Sequence, residues 1–269
     1  MFEPETYPAP LDRLHGLGID ETEQPATVDY RALGIGPEDI PALIGIVTDR
    51  RYETAMLPVA WAPVHAWRAL GALRVADAAE PLTTLLDRAS DDDWILDDVP
   101  RALGLIGAPA VPPVARYLAD RERDHWGRIA AEAALRHIGR THLEVRSNCV
   151  SVLADQLRLF ATQDTELNAF LVAGLLELGA VESAAVVEEA FAADRVDLAI
   201  TGDWEDAQVE LGILPARLTP PRRYRSFLFD APRPEPTGPR PGTARDHRAV
   251  EKRRRKIAKQ SRRRNRRRK

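Results

Sequence analysis

Two groups of acidic residues have the composition of chemically active sites. The run Asp203-Trp204-Glu205-Asp206 places carboxylates beside an aromatic ring, the raw material of general acid–base catalysis. The group Asp91-Asp92-Asp93 with Asp97 and Asp98 offers oxygen ligands to a hard metal ion, but it lacks the glycine turn and terminal glutamate of a calcium loop. We therefore expect the first group to close a helical array, and the second to form a solvated loop whose acids cap the following helix.

Histidine and cysteine add no catalytic constellation. His137 and His142 are five residues apart across a helix end and His125 is more distant, so no metal-ligand spacing forms. Cys149 is the single cysteine; it lies on an apolar stretch with Val152 and is expected to be buried and unreactive. Since the sequence also lacks a phosphate loop and a serine elbow, we predict a non-enzymatic protein without cofactor or metal. One cysteine favours a reducing, cytoplasmic compartment.

The strongest functional signal is the basic C-terminal tail, residues 245–269. It holds 15 Lys/Arg against two acids, a net charge of +13, whereas the other 244 residues carry 23 arginines and 39 acids, a net charge of −16. Like charges at i,i+4 repel, so the free tail is expected to be disordered. The predicted nucleic-acid contacts are Lys252, Arg253, Arg254, Arg255, Lys256, Lys259, Arg262, Arg263, Arg264, Arg266, Arg267, Arg268 and Lys269.

Such a tail has several possible partners. RNA, DNA or the ribosome would neutralise it and release counterions; with about eight phosphates engaged, the log–log salt dependence of binding would have a slope of roughly −7. The alternatives are a non-specific polycation, a segment that folds back on the acidic body, and a nuclear-import signal. Residues 215–244 contain eight prolines and are predicted to be the linker between body and tail.

The body that carries these residues is organised by an internal repeat. Arg68-Ala69-Leu70-Gly71 is followed 33 residues later by Arg101-Ala102-Leu103-Gly104. Self-similarity near this period, with helical apolar spacing inside each unit, is typical of a helical repeat array. The predicted fold is all-α: a right-handed α-solenoid of four or five helix pairs over residues 37–214, preceded by an irregular N-terminal arm, residues 1–36.

The helices follow from apolar periodicity and from their stop signals. We predict that Asp77 caps the second helix of the first repeat in a capping box with Glu80, that Gly139 ends the first helix of the third repeat, and that Ser183 caps a helix in the fourth. The predicted pairs are 63–73 with 78–88, 95–106 with a helix starting near 111, 128–139 with 143–160, and 167–178 with 183–192. A turn and a short closing helix over 197–214 follow.

These motifs also resemble a known repeat class. The pattern Ala-x-x-Ala-Leu-x-x-Ile-Gly resembles the short HEAT-like repeats first described in phycobilisome lyases. The runs Tyr30–Gly36, Trp61–Gly71, Asp92-Asp93-Trp94 and Gly202–Glu205 are similar to an uncharacterised group of bacterial HEAT-repeat proteins, over roughly residues 7–214. The resemblance implies an α-solenoid and no established activity. Some relatives of this kind end in a cysteine-rich zinc motif, which this chain cannot form.

The functional prediction is a scaffold or adaptor. The solenoid surface would bind an unidentified protein, with Thr83, Thr84, Arg116 and Tyr117 exposed on the second helices and Trp204 near the end of the array. No apolar run is long enough to cross a membrane. The alternative is a lyase-like enzyme subunit acting on a protein-bound chromophore, which rests on the repeat type alone.

Overall fold

The computed structural model of this chain describes residues 9–18, 28–56 and 58–221. These residues form helices and turns without a strand, which confirms the predicted all-α class. The chain divides into two compact units, Met1–Gln156 (unit 1) and Leu157–Lys269 (unit 2). In the described part of the chain, every helix is too short or too polar to cross a bilayer.

The helices are close to those expected from apolar periodicity. In the first part of the chain they are α1 (Ile40–Thr48), α2 (Ala62–Ala72), α3 (Ala79–Thr84), α4 (Asp93–Ile106), α5 (Val111–Ala119), α6 (His125–Thr141) and α7 (Arg146–Leu157). Those that follow are α8 (Thr165–Glu177), α9 (Ala184–Ala192), α10 (Leu198–Thr201) and α11 (Trp204–Glu210). Short 3₁₀ turns connect many of them.

Three helices of unit 1, α2, α4 and α6, pack on one another in chain order, and a glycine lies at each contact. A Cβ atom on Gly71 of α2 would lie 2.9 Å from Ala102 Cα in α4, and one on Gly104 of α4 would lie 2.6 Å from His137 Cβ in α6. Both distances are shorter than packed carbon atoms tolerate, so any larger side chain would push the helices apart. We call these contacts the first junction and the second junction.

The two junctions occupy equivalent repeat positions. The motif Arg68–Gly71 recurs as Arg101–Gly104 and, 35 residues later, as Arg136-His137-Ile138-Gly139. At each junction the fourth residue of one motif meets the second residue of the next, Gly71 with Ala102 and then Gly104 with His137. Unit 1 therefore repeats one helix–helix contact in the same register.

Aspartate begins several of the helices. The side chain of Asp92 accepts from the backbone N–H of Trp94 at 2.8 Å at the start of α4, which confirms the predicted capping by this acidic loop. The same role belongs to Asp124 at α6, Asp164 at α8 and Asp203 at α11. An aspartate at this position satisfies N–H groups that have no partner within the helix.

The predicted cap at Asp77 is wrong, and Ser183 lies at the N-cap position of α9 without a side-chain capping hydrogen bond. Asp77 lies inside a 3₁₀ turn, Ala76–Ala78, and α3 begins after it without a side-chain cap. Ser183 ends a similar turn before α9 and makes no capping hydrogen bond. In both places the turn supplies its own backbone hydrogen bonds, so a side-chain acceptor is not required.

The glycine stop signals give a mixed result. Gly107 ends α4 with φ +83°, and the ring of His142 occupies the space where its Cβ would lie. Gly179 follows α8 with φ +61°. Gly139, in contrast, lies inside α6, which continues to Thr141, so the stop predicted there is wrong. Gly139 is buried within the helix and does not adopt the left-handed conformation that a glycine stop would use.

The described residues of the N-terminal arm pack on α2. Leu14 is fully buried, and Tyr30 is 2% exposed. The Tyr30 hydroxyl lies 3.0 Å from His65 Nδ1, and His65 Nε2 lies 3.2 Å from the carbonyl oxygen of Gly18. Since that carbonyl can only accept, Nε2 carries the proton and Nδ1 accepts from the tyrosine. These bonds fasten two stretches of the arm to one helix.

In unit 2, polar side chains join the loop that precedes α8 to the loop that follows α9. Asn168 of α8 is fully buried and donates to the carbonyl oxygens of Phe160 at 3.0 Å and Arg195 at 2.8 Å. Arg195 in turn donates to Phe160 at 3.2 Å and to the carbonyl of Gln163 at 2.6 Å. These bonds satisfy backbone acceptors that the ends of short helices leave open.

Candidate functional site

The predicted protein-binding surface lies on α3 and α5 of unit 1. Thr84 and Arg116 are exposed there, as expected. Arg116 Nη2 lies 2.6 Å from Glu80 Oε2, so an exposed ion pair links the two helices. Thr84 uses its hydroxyl within its own helix, donating to Pro81 O at 2.7 Å. The outer surface of these second helices is polar and carries both signs of charge.

The expectation that Thr83 and Tyr117 are exposed is wrong. Thr83 is 3% exposed and donates to the carbonyl of Ala79. Tyr117 is 5% exposed; its hydroxyl donates to Asp87 Oδ1 at 2.7 Å, and the guanidinium of Arg123 lies 5.2 Å from the ring centroid. Burial, and then the hydrogen bond to Asp87, raise the pKa of this phenol. Tyr117 is therefore a packing residue whose polar end is paired.

Trp204 of unit 2 is half-buried rather than freely presented. Its ring centroid lies 6.0 Å from that of Phe191 in α9. The neighbouring carboxylates are paired with Arg217: Nη1 lies 2.8 Å from Asp203 Oδ1 and 2.5 Å from Asp206 Oδ1, and Nη2 lies 3.2 Å from Glu205 Oε2. One guanidinium thus contacts all three carboxylates of the acidic run predicted to close the array.

Within this run, Glu205 has a lowered pKa. The hydroxyl of Thr219 donates to Glu205 Oε2 at 2.7 Å. That hydrogen bond is the main reason why the pKa of Glu205 is lowered, and the charge of Arg217 contributes in the same direction. A general acid at neutral pH needs a raised carboxyl pKa instead. The arrangement fastens the segment after α11 to that helix.

At the first junction, the acidic group predicted to be a solvated loop contributes a buried ion pair. Asp98 of α4 accepts from Arg68 Nε at 2.7 Å and from Trp67 Nε1 at 2.8 Å, and the side chains of Arg68 and Asp98 are 4% and 5% exposed. The guanidinium also lies 5.7 Å from the centroid of Trp94. A buried pair of this kind is costly to break, because removing one partner leaves a charge without compensation.

The second junction carries a group of basic side chains that were not among the site residues predicted from the sequence. Arg101 lies on α4, and Arg136, His137 and Arg140 lie on α6. Burial is the largest cause that holds the pKa of His137 well below its usual value, followed by the charges of Arg136, Arg101 and Arg140. All three guanidinium groups therefore act on one imidazole. Arg140 is exposed, and the other three side chains are half-buried.

Acidic and carbonyl groups accompany this basic group. Arg136 Nε lies 3.3 Å from Oε1 of the buried Glu132, one turn earlier in α6. Arg101 Nε donates to the carbonyl oxygen of Asp97 at 3.2 Å. The signal that could have revealed the group is the repeat itself, because Arg101 and Arg136 are both the first residue of the repeated motif.

Cys149 and His65 are buried, as expected for packing residues. Cys149 is fully buried, and burial raises the pKa of its thiol to about 11, which leaves it protonated and unreactive at neutral pH. Burial is also the main cause that lowers the pKa of His65 to about 4. The tail residues from Lys252 to Lys269 lie outside the described residues.

Comparisons with protein-family models, with curated proteins and with solved structures found no match to this chain.

Proposed function

We propose that this chain is a non-enzymatic scaffold: a right-handed α-solenoid of HEAT-like helix pairs whose surface binds a protein partner and whose basic tail contacts nucleic acid or the ribosome. The observation that carries the proposal is the repeated contact in unit 1. Gly71 meets Ala102 and Gly104 meets His137 at equivalent motif positions, which is how a solenoid buries its core by stacking each repeat on the next.

The protein-binding half rests on the second helices. Stacked repeats leave the outer faces of these helices as a continuous surface, which solenoids use for binding. Here that surface includes Thr84, Glu80 and Arg116, polar side chains suited to the rim of an interface.

The nucleic-acid half rests on the charge of the tail. Its net charge of +13 within residues 245–269 is suited to a phosphate backbone, and the body, at −16, would repel the same ligand. The tail would therefore supply most of the attraction. Binding of this kind is strongly salt-dependent, because each phosphate contact releases condensed counterions.

Mobility-shift titrations of the full chain and of a chain ending at residue 244 test the nucleic-acid half. We expect the full chain to bind a labelled oligonucleotide with a log–log salt slope of roughly −7, for about eight phosphate contacts, and the shortened chain to lose most of that affinity and slope. Salt-insensitive behaviour of both chains would refute this half of the proposal.

Affinity purification with and without nuclease tests the protein half. A protein partner held by the second helices remains bound after nuclease treatment, and a paired substitution at the exposed surface, Thr84→Arg with Arg116→Glu, should release it. The matched control is Arg50→Glu, since Arg50 is 80% exposed and lies outside α3 and α5. A partner that leaves on nuclease treatment, or that the control releases equally, would contradict a protein-binding role for this surface.

A further inference from the structure

Two tryptophans of unit 1 occupy the same position in consecutive repeats and lie side by side. Trp61 directly precedes α2, Trp94 is the second residue of α4, and they are 33 residues apart, the spacing of the repeated motif. Their ring centroids are 5.2 Å apart with 73° between the ring planes, an edge-to-face arrangement. Both residues are half-buried, so part of each ring faces solvent. We call Trp61 and Trp94 the tryptophan pair.

The tryptophan pair is held in place from within unit 1. The guanidinium of Arg68 lies 5.7 Å from the ring centroid of Trp94, and the buried ion pair with Asp98 fixes that guanidinium. Side chains that are already ordered lose little conformational entropy when a ligand packs on them. Tryptophan is also among the residues most enriched where the binding energy of an interface is concentrated. The pair is therefore suited to anchor a partner.

The indole N–H groups of the pair are open to a ligand. Trp67, by contrast, donates its indole N–H to Asp98. Neither Trp61 nor Trp94 has an acceptor for its N–H among the described residues, and neither N–H is one of the buried polar atoms without a partner. Both donors therefore reach the surface. A ligand that covers the two rings must bring acceptors, because a covered donor without one costs free energy.

The need for acceptors favours one class of ligand. A lysine or arginine side chain has no acceptor, and the guanidinium of Arg68 already lies over the ring of Trp94. An ordinary extended peptide brings N–H donors that would need acceptors of their own. A proline-rich peptide has few N–H groups, and its polyproline II conformation leaves the carbonyl oxygens free to accept while its rings pack on aromatic side chains.

The charge around the pair favours a positively charged ligand. The two stretches that hold it, residues 58–68 and 88–101, contain five aspartates against three arginines, a net charge of −2. This count includes the buried ion pair of the first junction. Three of the aspartates directly precede Trp94. Their field attracts a cationic segment at long range and does not require a direct contact with any one carboxylate.

We infer that the tryptophan pair is a docking site for a proline-rich, arginine-bearing segment of a partner protein. Proline rings pack against the two indoles, carbonyl oxygens of the segment accept from the indole N–H groups, and the nearby aspartates attract its arginines. The site lies where α2 and α4 begin, whereas the proposed function places protein binding on α3 and α5. Each of the two surfaces is therefore tested separately.

Fluorescence anisotropy of a labelled peptide tests the site on the full chain. The probe has the sequence of residues 231–242, which contains five prolines, two arginines and one acid. A second peptide has alanine in place of every proline. The test variant is Trp61→Phe with Trp94→Phe, which keeps two aromatic rings and removes both N–H donors. The matched control is Trp204→Phe, the same change at a half-buried tryptophan of unit 2. Thermal unfolding shows whether each variant is folded.

We expect the test variant to bind the probe about 5- to 100-fold more weakly, because it loses two hydrogen bonds that each contribute up to roughly tenfold. The control should bind like the original chain, and the alanine peptide should bind at least about tenfold more weakly than the probe. Equal affinities of the test variant and the control, with both folded, would overturn the site. Equal affinities of the two peptides would overturn its assignment to proline-rich segments.

The surface of α3 and α5 is the first alternative to exclude. Thr84→Arg with Arg116→Glu, the pair of changes that should release a partner from that surface, should leave binding of the probe unchanged. If these changes weaken binding as much as the test variant does, the peptide binds to α3 and α5 and the inference is wrong. If they release the partner while probe binding is intact, both surfaces stand.

The chain carries the probe sequence itself, so its own segment is the second alternative. In a full chain with alanine at the five prolines of residues 231–242, the affinity for the probe should equal that of the original chain. An affinity more than about tenfold higher would show that the chain's own segment competes at high effective concentration. The assignment of the site to a partner protein would then be wrong.

Discussion

At the first junction a buried aspartate, Asp98, neutralises Arg68, whereas at the second junction the equivalent position of the repeat is an alanine, Ala133. The backbone contact is the same at both, a glycine against the next helix. The two repeats therefore share the glycine at the helix contact and differ at the position that is Asp98 in α4 and Ala133 in α6. At the first junction Arg68 donates to an acid of the facing helix, whereas at the second junction Arg101 donates to the carbonyl oxygen of Asp97 in its own helix.

The largest effect is expected from breaking the first junction. Asp98→Ala leaves the Arg68 guanidinium buried without a counter-charge, so the free energy of unfolding should fall by about 3–5 kcal/mol. Urea denaturation of the variant measures this loss. The control is the double variant Arg68→Met with Asp98→Leu, which removes both charges and should restore much of the stability. A small loss for Asp98→Ala would mean that the pair is not buried.

The glycine contacts should be the next most sensitive. Gly71→Ala and Gly104→Ala each place a methyl group within 3 Å of the facing helix, and overpacking of this kind costs about 1–3 kcal/mol. Gly45→Ala is the control, because Gly45 lies in α1 with no neighbouring atom within 4 Å of the added carbon. That variant should be neutral or slightly more stable. Similar unfolding midpoints for all three variants would contradict the close contacts.

The second junction should make stability depend on pH through His137. Its pKa in the folded chain is far below that in the unfolded chain, so the unfolded chain binds the proton first. Stability is then complete above the unfolded pKa of about 6.5 and falls as the pH decreases below it, by up to about 1.4 kcal/mol per pH unit. In His137→Gln, the free energy of unfolding should change less between pH 6.5 and 5 than it does in the original chain. His65, with its pKa near 4, contributes in the same direction and remains in the variant.

The smallest effect is expected at the half-buried Arg217 cluster of unit 2. Arg217→Ala should lower stability less than Asp98→Ala, because the Arg217 side chain is 16% exposed against 4% for Arg68, so water and salt screen its ion pairs more. The loss should shrink as salt is added and as the pH falls through the lowered pKa of Glu205, since a protonated carboxyl group no longer attracts Arg217. Thermal unfolding at two salt concentrations measures it. A loss as large as that of Asp98→Ala would contradict the contrast between the buried pair and the half-buried cluster.

The sequence predicted the helices of the first two repeats well, because the 33-residue register fixes their apolar faces. It failed at Gly139, where the spacing grows to 35 residues and α6 continues past the glycine to Thr141. The predicted exposure of Thr83 was wrong because α3 has only six residues, too few for periodicity to define a face. The predicted exposure of Tyr117 was wrong because its side chain is buried in α5 and pairs with Asp87 from outside that helix.

The electrostatic features could be predicted least. Asp98 looks like a member of a solvated acidic loop until α2 is known to pack on α4, 30 residues earlier in the chain. The arginines of the second junction are scattered over 39 residues of sequence, and only the contact between α4 and α6 brings them together. Side-chain pairs between repeats depend on which helices touch, and composition does not contain that information.

A double-mutant cycle at the second junction tests the equivalence of the two junctions most directly. The four chains are the original, Ala133→Asp, Arg101→Ala and the double variant, and urea denaturation gives the free energy of unfolding of each. If position 133 corresponds to position 98, the introduced aspartate and Arg101 should show a favourable coupling of about 0.5–2 kcal/mol. A coupling energy indistinguishable from zero, with all four chains folded, would contradict the equivalence of the junctions.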